Sequence, residues 1–290
     1  MVLVCIIING LRPFHNMHKV RRLGGYVRIS LLPLTLVTIL GVASLPASAS
    51  IFMYDDASDL DTESKSDWDA SAELGLLFTS GNTETETFKA KLNLARDFEN
   101  WRHKGVVDYY RSEQKDQVNG GTILTGDKIF LSGQSNYKFS PDSRSSLFIF
   151  GSYEEDKFTA YEYQGTFAVG YGARYRYSEK IYTDYEVGPG YSLNRPIVGG
   201  VSQEQETSFI LRLAGNLVWD ISENSKFNAL ASTEVGEENT KTRAEASISA
   251  NINSSLALKF TVSGTHNSYL EDVTKEKLDT ETAVTLVYSF

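Results

Sequence analysis

His266 and Ser268 are the pair of side chains best placed for nucleophilic chemistry in this 290-residue sequence. Two residues apart on an extended chain, they share a face, so an imidazole base could stand beside a hydroxyl nucleophile. Such a pair also needs a third group to orient the imidazole. The outward neighbours expected at that height, Thr240, Thr242 and Thr280, supply no Asn, Asp or Glu. A second set of candidates alternates along the chain. The acids are Glu73, Asp108, Glu162, Asp184, Glu186, Asp220, Glu234, Glu245 and Glu281. The bases are Lys89, Lys91, Lys104, Lys128, Lys138, Arg174, Arg176, Arg212, Arg243 and Lys259. Two readings are open for them: opposite charges that pair and fill an interior, or charged rows lining a narrow water-filled pore. A third set is a glycine lane, Gly170, Gly172, Gly188 and Gly190, which either bends a sheet or makes room for a large neighbouring side chain. Neither glycine pair completes a dinucleotide fingerprint or precedes a helix, so a phosphate cradle is excluded. Cys5 is the single cysteine, and the histidine and carboxylate spacings form no metal motif, so neither metal nor other cofactor is expected.

The elements that must carry these residues begin behind a leader. Residues 1–49 hold five bases and no acid; the remainder carries 23 bases against 37 acids, a net charge of −14 that excludes nucleic acid as a partner. Residues 19–28 are basic, 29–45 almost entirely apolar, and Ala47, Ser48 and Ala49 have the small side chains that signal peptidase accepts. Residues 1–49 therefore read as a signal peptide cleaved after Ala49, with Met17 as the expected true start. The rival is an uncleaved anchor of nearly spanning length, which Pro33 and the small-residue ending disfavour. Residues 50–67 read as an acidic, solvated periplasmic tether.

From Trp68 onward apolar residues recur at every second position, the period of a strand with one apolar and one polar face. Tyr163, Gly165, Phe167, Val169, Tyr171, Ala173, Tyr175 and Tyr177 form one such face, and Phe209, Leu211, Leu213, Gly215, Leu217 and Trp219 another. Residues 68–290 divide into about twelve segments, each near the ten or so residues a tilted strand needs to cross a bilayer. Short turns follow the even-numbered segments, while the long connections, at 112–125, 195–206 and 268–278, all follow odd ones. The fold expected is all-β: a transmembrane up-and-down antiparallel barrel with both termini at the short-turn, periplasmic rim. Trp68, Trp101, Trp219 and Tyr288 would form the periplasmic aromatic girdle. Acidic loops, including Glu154, Glu155 and Asp156, would face outward among lipopolysaccharide.

The chain ends with Val284, Leu286, Tyr288 and Phe290 on alternate positions. This ending resembles the assembly signal read by the bacterial barrel-assembly machinery, which would engage Phe290. Ser80-Gly81-Asn82-Thr83, residues 184–191 and residues 282–288 are similar to the salt-induced outer-membrane protein family, the YdiY-like group. That resemblance covers about residues 68–290 and implies a bacterial outer-membrane location and a link to salt or osmotic stress. It supplies no catalytic residues. The spacing of His266 and Ser268 resembles outer-membrane phospholipase A, a barrel of similar size, but that family's orienting Asn and surrounding motif are missing. The function expected is a monomeric, non-enzymatic barrel in contact with outer-membrane lipid, either a small passive pore or a structural envelope component. The alternative is a lipase or esterase using His266 and Ser268.

Overall fold

The computed structural model describes residues 69–79, 84–98, 100–116, 120–140 and 143–290. The expected signal peptide, the Met17 start, the acidic tether and Trp68 lie outside the described residues.

Alternation of apolar and polar side chains produces strands throughout: β1 (Asp69–Thr79), β2 (Thr85–Asp97), β3 (Trp101–Lys115), β4 (Thr122–Lys138), β5 (Ser145–Asp156), β6 (Tyr161–Ser178), β7 (Ile181–Val198), β8 (Val201–Ser202), β9 (Glu206–Ser222), β10 (Ser225–Gly236), β11 (Thr240–Asn251), β12 (Leu256–Asn267) and β13 (Leu278–Ser289). The two-residue β8 pairs only with the tip of β7 across a turn at Gly199 and Gly200, whose φ values of 58° and 81° suit glycine. The other twelve strands form the wall. Each is antiparallel to its chain neighbours, and β1 pairs with β13, so the sheet closes on itself. Closure is what removes the unpaired edges that lipid cannot satisfy.

Two expected loops are shorter than the sequence suggests. In place of a connection over 112–125, β3 runs to Lys115 and β4 starts at Thr122, with a bulge between Ser112 and Glu113. β7 likewise continues to Val198. The ladder satisfies the backbone of these polar segments as well as water would, so polarity alone marks no strand end. The loop at 268–277 remains.

Between β6 and β7 the two backbones leave no room for side chains at three glycines. A Cβ on Gly188 would lie 2.1 Å from the Val169 carbonyl oxygen, one on Gly170 2.2 Å from that of Val187, and one on Gly190 2.3 Å from that of Phe167. Gly172 pairs with Glu186 on the same ladder. The Phe148 ring lies 2.9 Å from where a Cβ of Gly170 would sit. The lane thus lets two backbones approach and also accommodates an inward ring.

Gly188→Ala is expected to destabilise the folded barrel by about 1–3 kcal/mol, the usual cost of overpacking. The check is the urea midpoint of the fast-migrating folded band in unheated electrophoresis. Gly133→Ala, with nothing within 4 Å of the new Cβ, should leave that midpoint unchanged.

A candidate functional site in the barrel lumen

The inward face of the twelve strands gathers most of the charged residues named above. Glu73, Lys89, Lys91, Asp108, Lys128, Asp184, Glu186, Arg212, Glu234, Arg243, Glu245, Lys259 and Glu281 are all buried. Arg174 donates from Nε to Asp184 Oδ1 at 2.8 Å, and its guanidinium lies 4.1 Å from the Tyr182 ring centre. Arg176 sits one inward position nearer the short-turn rim and is exposed. Glu162 departs from the expected lumenal row. It falls in a bulge between Tyr161 and Tyr163, and its side chain, 42% exposed, stands 3.3 Å from Arg195 at the outer rim. The bulge adds a residue, so the alternation restarts with Tyr161 buried and Tyr163 outward.

Many of these charges meet a partner inside the lumen. On one side of the lumen, Lys89 Nζ donates to Glu281 Oε1 at 2.6 Å and lies 3.9 Å from Asp108. Lys259 donates to Glu73 at 3.2 Å. On the other side the contacts cross the barrel. Arg243 of β11 bonds Glu154 of β5, and Lys241 donates to Gln164 of β6 at 2.6 Å. Thr166 of β6 donates to Glu234 of β10 at 3.0 Å. Gln134 of β4 donates to Glu186 of β7 at 2.7 Å. Lys89, Lys259, Arg243 and Arg212 each lie beside a buried carboxylate, the condition under which buried charge is tolerated.

Between these bonds lies an apolar plug. Phe130, Phe148, Phe150 and Ala168 from β4, β5 and β6 pack against Leu230 of β10 on the far wall. Arg212, 0% exposed, places its guanidinium 4.1 Å from the centre of the Phe150 ring and donates to Glu234 at 3.1 Å. Arg243 lies over Phe130 at 5.3 Å. Cation and ring hold each other where neither meets bulk water. A second apolar contact lies at the rim opposite the short turns. Leu270, in the loop between β12 and β13, packs on Ala160 and Tyr161 beside β6, and Lys275 donates to the Phe158 carbonyl at 2.9 Å. The loop is stiffened by Thr274, whose hydroxyl and amide donate to Asp272 at 2.6 and 3.0 Å. Those bonds hold the Asp272 carboxyl below its ordinary pKa.

Sequence reasoning missed the plug, although a signal existed. Residues 129–131 and 147–150 are apolar at consecutive positions, the mark of a strand buried on both faces. It also placed Glu154 and Asp156 in a loop. Both are inward residues of β5, where Glu154 faces Arg243, Lys128 at 3.6 Å and Lys241 at 3.8 Å.

His266 is exposed on the outer face, in register with Thr242 and Leu278. Ser268 Oγ accepts from the Thr240 amide at 2.8 Å and donates to Asn239 at 3.2 Å. Among the described residues no hydrogen bond joins His266 to Ser268, and the hydroxyl instead ties together the ends of two loops. No group of three or more His, Cys, Asp or Glu among the described residues could hold a metal. At the short-turn rim Trp101, Trp219 and Tyr288 point outward and are exposed. Trp101 packs on Tyr137 at 5.1 Å between ring centres, and Tyr288 on Phe290 at 5.9 Å. Val284 and Leu286 continue that exposed row, and the Phe290 amide donates to the Ala70 carbonyl at 3.0 Å.

Glu154→Gln is expected to cost about 3–5 kcal/mol, because it leaves three buried cations facing one another. Unfolding in urea followed by tryptophan fluorescence checks this. Adding Arg243→Leu should recover part of the loss.

Among solved structures the chain is similar to an outer membrane channel from Pseudomonas putida F1, at 10% identity and TM-score 0.47, over 81% of this chain and 99% of that one. It is also similar to the translocator domain of the autotransporter NalP from Neisseria meningitidis, at 14% identity and TM-score 0.45, over 80% and 91%. The KdgM porin aligns at 12% identity and TM-score 0.40, over 77% and 99%. No curated protein matches the sequence. Residues 72–290 match the family described as "Protein of unknown function, DUF481", and the chain belongs to that family.

Proposed function

We propose that the chain is a monomeric bacterial outer-membrane barrel whose lumen is closed at rest, a structural component of the envelope rather than an open pore. The observation that carries this is the plug. Phe130, Phe148 and Phe150 reach Leu230 across the barrel, and ion pairs and hydrogen bonds cross the lumen beside them. A conducting lumen of charged rows would leave those side chains hydrated on separate walls. Location in the outer membrane is supported by the outward face. Leu74, Leu76, Phe167, Val169, Leu211, Leu213, Phe260 and Val262 expose large apolar surface in the middle of their strands, too much for a monomer in water. The exposed apolar C-terminal row ending at Phe290 suits recognition by the barrel-assembly machinery. Induction by salt, which the family resemblance implies, belongs to the same proposal: transcript should rise on a shift to high salt, and an unchanged level would remove that part.

Planar-bilayer recording of the purified chain tests closure. The wild type is expected to show no single-channel steps. Phe148→Ala combined with Phe150→Ala should introduce them by emptying the middle of the lumen. Stable steps from the wild type would sink the closed-barrel reading and favour a passive pore.

A further inference from the structure

The outward face is apolar at most strand positions. In its short-turn half the basic exceptions among the described residues are Arg96 on β2 and His103 on β3, which are register partners. They lie one outward position inside the girdle residues Phe98 and Trp101. The Arg96 guanidinium sits 4.7 Å from the Phe98 ring centre. His103 stacks on Trp101 at 5.8 Å, and its Nδ1 shares a 2.8 Å hydrogen bond with Ser135 Oγ. Basic side chains on a lipid-facing wall are tolerated at the level of the headgroups, where they can meet phosphate.

Toward the bilayer centre from this pair, Gly105, Gly133 and Gly151 lie side by side across β3, β4 and β5. They belong to an outward groove of about 350 Å³ walled by Leu94, Val107 and Tyr153. No close contact among the described residues excludes a side chain at these glycines. A Cβ at Gly133 would meet no atom within 4 Å, and at Gly105 and Gly151 the nearest atoms are 3.9 and 4.0 Å away. The contrast with the β6 and β7 glycines is direct: there the missing side chains relieve a backbone collision, and here they leave empty space on the outer wall.

A guanidinium and an imidazole at headgroup depth, with an apolar trough leading away toward the bilayer centre, complement a glycerophospholipid. We propose that this face binds one glycerophospholipid of the periplasmic leaflet, its phosphate on Arg96 and His103 and an acyl chain along the glycine trough. The leaflet follows from the position of the pair at the rim that carries the short turns and both strand termini. The inference rests on the outer-membrane barrel reading proposed above.

The test is native mass spectrometry of the full chain in mild detergent, titrated with phosphatidylglycerol, with diacylglycerol of the same chains, or with lipid A. Single adducts of phosphatidylglycerol, but not of diacylglycerol, are expected. Arg96→Gln should weaken them about tenfold, the effect of losing one charge-assisted contact. Gly133→Leu, which fills the trough where the wall has room for it, should weaken them independently, so either folded variant suffices. Equal binding of diacylglycerol, tighter binding of lipid A, or wild-type adducts in both variants would overturn the site. The same samples run unheated on a gel keep the two readings apart. A wild type without a heat-shifted folded band would overturn the barrel and the site with it, whereas a folded wild type that binds no phosphatidylglycerol overturns the site alone.

Discussion

Every backbone amide and carbonyl in this wall has to find its partner in the next strand, because lipid offers none. Closure of the ladder is therefore the constraint on which the rest depends. It is met tightly where β6 and β7 turn against each other, and there the sequence gives up side chains at Gly170, Gly188 and Gly190 so that carbonyls can approach. It is met more sparely where the first and last wall strands join: β1 and β13 are in register over residues 71–74 and 286–289, while β1 and β2 are paired along their whole length. The Phe290 amide bonded to the Ala70 carbonyl extends that seam to the last residue. The alternating C-terminal row thus serves closure as well as the outer surface.

Closing the wall creates an interior, and the interior must then be filled or wetted. In this chain it is filled by two chemistries that support each other. Ion pairs neutralise many of the charges, and aromatic rings occupy space between them. Arg212 belongs to both, bonded to Glu234 and stacked on Phe150. A guanidinium suits this place better than an ammonium would, since it can stack on a ring while donating in its own plane. The plug also braces the barrel, because β5 touches β10 and β11 across the lumen as well as its neighbours in the wall.

Much of this was legible in the sequence. A period of two shows which residues share a face, and turn chemistry shows where the chain reverses, so the wall, its strand number and its antiparallel order follow from local pattern. The lumen was legible only in part. Lys89 and Glu281 could be placed on the inner face, but that they meet depends on the register between strands far apart in sequence. Contacts across the barrel, such as Arg243 with Glu154 or Thr166 with Glu234, join strands that are not neighbours in the wall, and no local pattern encodes them. Glu162 illustrates a different limit. A single bulge shifted its side chain from the lumen to the rim, and alternation says nothing about where an extra residue will be absorbed. His266 and Ser268 mark another limit: spacing places them on one face, but the bonds of the Ser268 hydroxyl to Asn239 and the Thr240 amide come from loop geometry that spacing does not encode.

The polar lining has a further physical reason that does not involve transport. Uninterrupted apolar stretches approaching 20 residues partition into a bilayer as helices. A barrel strand must avoid that form before it reaches its membrane, and alternation achieves this by putting a polar residue after almost every apolar one. An all-apolar core, although easier to pack, would destroy the alternation. The plug in this chain respects the same limit. Its longest apolar run, residues 147–150, is bounded by Ser145 and Ser146 on one side and by Gly151 and Ser152 on the other. The remaining plug residues, Phe130, Ala168 and Leu230, come from three other strands. Scattered rings and paired charges are how a sequence can occupy its interior while keeping every strand too polar to span lipid alone.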